Sequence, residues 1–310
     1  MKSRCIIIVG PTAVGKTAVS LTLAKQLPIE IINGDMAQMY TPLSIGTAKP
    51  TPDERTHIPH HLFDILDEPC SYTVVQYRAA VEQLIEEIVA RGNIPVIVGG
   101  SSFYVRSLFF KIDESESGEI GENDITTYQE TTTSELWNRL LEIDSERAHQ
   151  IHAHDRYRII RALTLWDRFG KKPSLYKPQF NPVADSSALI VLSRSKEDLI
   201  SRISIRVEQM IQAGFKQEVH SLDDRWKRFV TVKKIIGYPE ILQIHDTRQL
   251  IDTITLHTTQ YAKKQNTFNK AFIKQLEQYP QQVRVYQVNL TISDDSLYIE
   301  QLVREIERVL

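Results

Sequence analysis

Apolar residues in the first hundred positions form two alternating patterns: short β-branched runs, and stripes spaced three and four apart. Residues 5–9, Cys-Ile-Ile-Ile-Val, stop at Gly10-Pro11 and predict a buried strand. Residues 17–26 set Ala18, Leu21, Leu23 and Ala24 along a helix, and residues 29–32 form a second strand-like run. Residues 75–90 carry Val81, Leu84, Ile85 and Ile88 at amphipathic helical spacing. Residues 94–98, Ile-Pro-Val-Ile-Val, are a third buried strand, ended by Gly99-Gly100. Strand, helix, strand, helix, strand is the alternation of a doubly wound α/β domain with a parallel sheet.

After about Leu108 the pattern changes. Positions 113–133 show no clear period, 134–149 predict a helix, and 158–169 predict another that Gly170 ends. Pro173, Pro178 and Pro182 mark a connection, and Ala-Leu-Ile-Val-Leu at 188–192 again reads as a strand. The sheet is therefore expected to be interrupted by a mainly helical insertion at 111–185, within a core domain made of 1–110 and 186–310. From Lys196 onward the pattern is mostly helical, with a late strand at 283–288.

At 310 residues, 42% hydrophobic and 25% charged, the chain has ample material for a core, which excludes a disordered or collagen-like chain. Cys5 and Cys70 are the two cysteines, so no disulfide framework or zinc cluster is written in the sequence. No apolar run reaches 18 residues, and the expectation is a soluble, cytoplasmic protein without a membrane partner. With no heptad seam, a monomer is expected.

Gly10-Pro11-Thr12-Ala13-Val14-Gly15-Lys16-Thr17 matches GxxxxGK[ST], directly after a strand and opening a helix. In that context the backbone N–H groups face one anion, Lys16 neutralises phosphate oxygens, and the Thr17 hydroxyl ligates Mg²⁺. The motif specifies a di- or triphosphate ligand and does not by itself specify ATP hydrolysis. An ATPase or GTPase would carry a metal-positioning acid at a strand end. The strand at 94–98 runs instead into Gly99-Gly100-Ser101-Ser102, and the acid at a strand's C-terminal edge is Asp35. A turn or N-cap aspartate is the alternative reading of Asp35. His60-His61 lack a third ligand at suitable spacing, which disfavours a metal site.

Several segments, in order from about residue 5 to 272, resemble the tRNA dimethylallyltransferase family. They are GPTAVGKT at 10–17, Asp35-Met36-Ala37-Gln38-Met39-Tyr40, IGTAKP at 45–50, and PHHL at 59–62. VGGSSFY at 98–104 and RIIRAL at 158–163 follow, then the stretch from Arg202 through Arg206, Met210, Gly214-Phe215 and Glu218-Val219. Ile236-Gly237-Tyr238 and TQYAKKQ at 259–265 close the series. There are departures: Met36 stands where the family has serine, Ser101-Ser102 replace Thr-Gly, and Thr267-Phe268-Asn269-Lys270 stand where the family has TWFR, so a Trp and an Arg are missing.

The resemblance implies a P-loop NTPase-like parallel sheet core and transfer of a five-carbon allyl group from dimethylallyl diphosphate to an adenine amine of tRNA, with Mg²⁺. It implies that residues Gly10 to Thr17 hold the diphosphate, with Arg206 clamping it from the far side. Asp35 would accept the amine proton as the C–N bond forms, and Thr12 would face the substrate. Asp35, Met36, Ala37, Gln38 and Ser101 would meet the flipped base, and Arg158, Arg161 and Lys263 would meet the RNA backbone. A surface role for Gln38 is equally compatible with the residues alone. Three other classes share parts of this pattern: an adenylate isopentenyltransferase on free nucleotides, a P-loop small-molecule kinase, and an inactive RNA-binding relative. The long insertion and basic helices favour a macromolecular substrate.

Net charge is −2, from 37 basic and 39 acidic residues, which taken whole argues against an RNA partner. Locally the balance differs. Positions 154–182 hold seven basic and two acidic residues, and 258–275 hold four basic and no acidic ones. Positions 111–150 hold eleven acidic and three basic. Basic helices and an acidic stretch cancel in the sum, so one basic face remains available to phosphates.

Overall fold

The computed structural model describes residues 4–111 and 126–291, together with Arg304. Much of the aperiodic stretch at 113–133, and the chain beyond 291 apart from Arg304, lie outside the described residues. The chain divides into two compact units, one of residues 1–72, 77–108 and 182–310 and one of residues 73–76 and 109–181.

The first unit is built on a six-stranded parallel sheet. In chain order its elements begin β1 (Arg4–Val9), α1 (Lys16–Ala24), β2 (Ile29–Asn33), α2 (Pro52–His57) and β3 (His60–His61). A single 3₁₀ turn, Met36–Met39, lies between β2 and α2. Then come α3 (Val74–Ala90), β4 (Ile94–Gly99) and α4 (Ser102–Ser107). The strand order is β3-β2-β4-β1, continued by β7 (Ser186–Ser193) and β8 (Val283–Asn289). Cys5 to Val9 are all buried, because helices cover both faces of a parallel sheet and the central strands need unbroken β-branched runs. β1 registers Ile6 on Val96 of β4 on one side and on Ala188 of β7 on the other. The short strand β3, absent from the sequence reading, pairs Ile31 with His60 and Ile32 with His61.

The second unit holds β5 (Phe110–Lys111) paired antiparallel with β6 (Gln179–Phe180), and the helices α5 (Thr133–Ile143), α6 (Ser145–Gln150) and α7 (Arg156–Phe169). Leu136, Leu140, Ile159, Ile160 and Leu163 form its core. The helix expected over 134–149 is two helices. Asp144, 2% exposed, ends the first and caps the second by accepting the Arg147 N–H at 3.0 Å. Its other oxygen accepts the Ser174 N–H at 2.6 Å, and these caps outweigh helix continuation.

Five further helices belong to the first unit: α8 (Lys196–Gln212), α9 (Phe215–Ser221), α10 (Asp224–Val232), α11 (Tyr238–Gln243) and the long α12 (Thr247–Leu276). With β1, β4 and β7 they enclose one core running from Ile6 to Leu290. Among the described residues no helix is long and apolar enough to cross a membrane.

Candidate active site

The C-terminal ends of β1, β2 and β4 carry the candidate residues, as strand ends do in open α/β sheets. The loop from Gly10 to Gly15 follows β1. A Cβ on Gly10 would meet the Leu192 carbonyl at 2.7 Å, so the loop passes β7 only with glycine there. Gly15, at φ +111°, turns the chain into α1. Lys16 Nζ donates to the carbonyls of Gly10 at 3.0 Å and Pro11 at 2.9 Å. Burial lowers the Lys16 ammonium to about 8, with Asp35 opposing the shift and Arg206 adding to it.

Asp35 is set by Asn33, which is fully buried. Asn33 Oδ1 accepts the Asp35 N–H at 2.8 Å, and its amide donates to the carbonyls of Asp35 and Leu62, each at 2.9 Å. Asp35 Oδ1 accepts the Ala37 N–H at 3.1 Å and caps the 3₁₀ turn. The capping and functional readings are therefore compatible, because Oδ2 has no hydrogen-bond partner among the described residues. Burial raises the Asp35 carboxyl above its ordinary value, against the pull of Lys16, the Ala37 N–H and Arg206. Ser101 Oγ accepts the Met36 N–H at 3.1 Å and fixes the β4–α4 loop to the Asp35 loop.

Helix α8 supplies the opposite wall. Arg202 Nε donates to the Ala13 carbonyl at 3.1 Å, and Arg194, just before the helix, donates to Val14 at 2.8 Å. One turn beyond Arg202, Arg206 makes no ion pair among the described residues, and burial lowers its guanidinium. The long helix α12 contributes Gln265, which sequence reasoning passed over although it closes a quoted motif. Its Oε1 accepts the Thr12 N–H and its Nε2 donates to the Gly100 carbonyl, both at 2.9 Å.

These elements border a cleft of about 260 Å³. Thr12, Ala13, Asp35, Met36, Ala37, Ser101 and Arg206 line it, so seven of the sequence-predicted residues meet in one place. Its apolar side is Ile203, Val207, Met210, Phe215, Ile236 and Ile254, and Lys233, Lys234 and Tyr261 also reach it. Glu218, another residue without an assigned role in the sequence, holds the loop beside the cleft. Its carboxylate accepts the N–H groups of Ser44 at 3.1 Å, Ile45 at 2.6 Å and Gly46 at 3.2 Å.

Other candidates lie elsewhere. Gln38 does not line the cleft, and its Nε2 donates to the carbonyls of Thr47 at 2.9 Å and Ala48 at 3.2 Å. His61 is held by buried Glu30 at 2.7 Å, a structural contact. Thr17 is exposed in the first turn of α1 and Lys263 is exposed on α12. Arg158 and Arg161 sit on α7 in the second unit, where burial and these two arginines lower the nearby Arg147 guanidinium. Among the described residues no three His, Cys, Asp or Glu side chains form a metal cage. A hydroxyl at a phosphate loop suits a Mg²⁺ ion whose other ligands come from a bound diphosphate and water.

Residues 38–272 match the model of the family described as IPP transferase. The chain belongs to this family. It is 36% identical over 277 residues to the tRNA dimethylallyltransferase of Bacillus mycoides, covering 86% of this chain and 87% of that one. Identity to the enzyme of the same name from Geobacillus kaustophilus is 37%, covering 86% and 88%. Among solved structures, a eukaryotic dimethylallyltransferase acting on tRNA superposes with a TM-score of 0.79 at 26% identity, covering 97% of this chain and 78% of that one. The tRNA isopentenylpyrophosphate transferase of Bacillus halodurans gives 0.64 at 30% identity, covering 99% and 96%. Like those of its relatives, the fold is the P-loop NTPase type, on a parallel sheet.

Proposed function

We propose that this chain transfers a dimethylallyl group from dimethylallyl diphosphate to the N6 amine of the adenine 3′-adjacent to the anticodon of tRNA, releasing diphosphate. One observation carries the reading: a half-buried carboxylate with an uncommitted oxygen, Asp35, stands in a cleft beside two cations and an apolar wall. An allyl donor needs each of those parts.

In the transfer, the bond from the allyl C1 to the diphosphate oxygen breaks and the bond from C1 to N6 forms. Negative charge gathers on the leaving diphosphate. Lys16, Arg206 and the N–H groups opening α1 face that charge and stabilise it. Lys16 exchanges the two loop carbonyls it now holds for diphosphate oxygens. The N6 proton passes to Asp35, whose raised pKa makes it a better acceptor near neutral pH. Mg²⁺, with Thr17 as its protein ligand, would neutralise part of the diphosphate charge. With the Gln38 Nε2 spent on the 47–48 carbonyls, any contact to the base is left to Oε1.

The test is incubation of the purified chain with dimethylallyl diphosphate and unmodified tRNA, followed by nucleoside mass spectrometry. Isopentenyladenosine in the tRNA is expected. Product on free adenine nucleotides and none on tRNA would favour the adenylate reaction. Phosphate transfer from ATP without prenylation would replace the reading with a kinase.

A further inference from the structure

We infer that the Phe215 ring is the end wall of the allyl slot and limits the transferred chain to five carbons. This rests on the donor proposed above. Helix α8 starts against the phosphate loop, where Arg202 holds Ala13, and it carries Arg206 near the Asp35 charge. Val207 and Met210 continue the same wall. The eight residues from Arg202 to Met210 advance the wall by about 12 Å at the helical rise. Gly214, at φ +101°, then turns the chain into α9, and its first residue, Phe215, also lines the cleft.

The ring is 1% exposed and boxed on two sides by backbone. A Cβ on Gly46 would stand 2.2 Å from Phe215 Cε2, and one on Gly237 would stand 2.6 Å from Cε1. Both glycines leave room that the ring fills. Tyr238 meets it edge-on with centroids 4.9 Å apart. Glu218 then ties the box together, through the Ser44, Ile45 and Gly46 N–H groups and the Tyr238 hydroxyl at 2.6 Å. A ring so held cannot swing aside for a longer ligand. A ten-carbon allyl chain anchored by its diphosphate at Lys16 would need the volume the ring occupies.

The experiment compares geranyl diphosphate with dimethylallyl diphosphate as donors to tRNA. It uses the full chain and its Phe215→Leu and Phe215→Ala variants. The readout is the ratio of the two kcat/KM values, which is independent of the fraction of enzyme that is folded. The wild-type chain should strongly prefer dimethylallyl, and each variant should shift the ratio toward geranyl by roughly ten-fold or more, the Ala variant further than the Leu. A Phe215→Leu enzyme that melts as a folded protein and keeps the wild-type ratio overturns the inference. So does a wild-type chain that transfers geranyl as readily as dimethylallyl. If the wild-type chain transferred neither group, the donor assignment itself would fail, and the inference with it.

Discussion

Gln265 Oε1 accepts the backbone N–H of Thr12 at 2.9 Å, joining the long helix α12 to the phosphate loop across 253 residues of chain. The same side chain donates to Gly100 and is 3% exposed, so neither bond has a solvent substitute. Gln265→Glu keeps the acceptor for Thr12 and sets an oxygen against the Gly100 carbonyl. An unsatisfied buried group costs about 1–3 kcal/mol. Steady-state kinetics should show KM for dimethylallyl diphosphate rising roughly ten-fold, with a lowered melting temperature. Unchanged values would reduce Gln265 to packing.

Asp35→Asn preserves the cap on Ala37 and removes the proton acceptor. Single-turnover transfer to tRNA should slow by roughly 10²–10⁴-fold, the usual contribution of a general base. Circular dichroism should stay native. A rate within two-fold of wild type would remove Asp35 from proton transfer.

The pH profile follows from two half-buried groups. Asp35 must be ionised to accept a proton, and burial raises its pKa, so the acid limb of kcat/KM should lie above the ordinary carboxylate range. Lys16 must be charged to hold diphosphate, and its value of about 8 sets an alkaline limb near there. Activity is then lost as pH rises through that value, because the neutral amine attracts no anion. Lys16→Arg, which stays charged, should flatten the alkaline limb even at reduced overall rate. An alkaline limb that survives in this variant would assign it to another group.

Glu30 is a stability prediction. Its carboxylate accepts from Arg91 at 2.8 and 2.7 Å and from Asn93 at 2.8 Å, which, with His61, holds it down to about 2. The folded value is depressed, so the stabilisation is complete above the ordinary glutamate range and is lost as pH falls toward about 2. Glu30→Ala should destabilise the fold by about 1–3 kcal/mol in chemical denaturation, since Arg91 is half exposed and regains water, and the deficit should shrink in acid.

Affinity for tRNA should fall steeply with salt if Arg158, Arg161 and Lys263 contact phosphates. Replacing any one with alanine should lower the slope of log K against log salt by about 1. A slope unchanged by all three would place the RNA on another surface.

Much of this fold was legible from local pattern. β1, β4 and β7 are buried on both faces, so each appears as an unbroken apolar run. α3 buries Tyr77, Val81, Ile85 and Ile88, close to the stripe read from the sequence. The break at Asp144 was not legible, because the Ser174 N–H that helps hold its carboxylate comes from 30 residues away. Gln265 and Glu218 were hidden for the same reason: each acts on a loop far away in sequence, and local pattern gives no measure of such contacts. Asp35 was singled out by its strand-end position and Arg206 by the family resemblance, and both line the cleft. The two-residue strand β3 is too short to produce any period.

Strand β1 makes one edge with β4 and the other with β7, and Cys5 meets Ser187 across 182 residues of chain. A ribosome therefore releases the first β-α-β segments long before the partner of β1 on that side exists. Until residues 186–193 emerge, β1 presents an unpaired apolar edge able to pair with a neighbouring nascent chain. Yield of the intact protein is thus tied to the pace of translation through the second unit, which separates the two halves of the sheet.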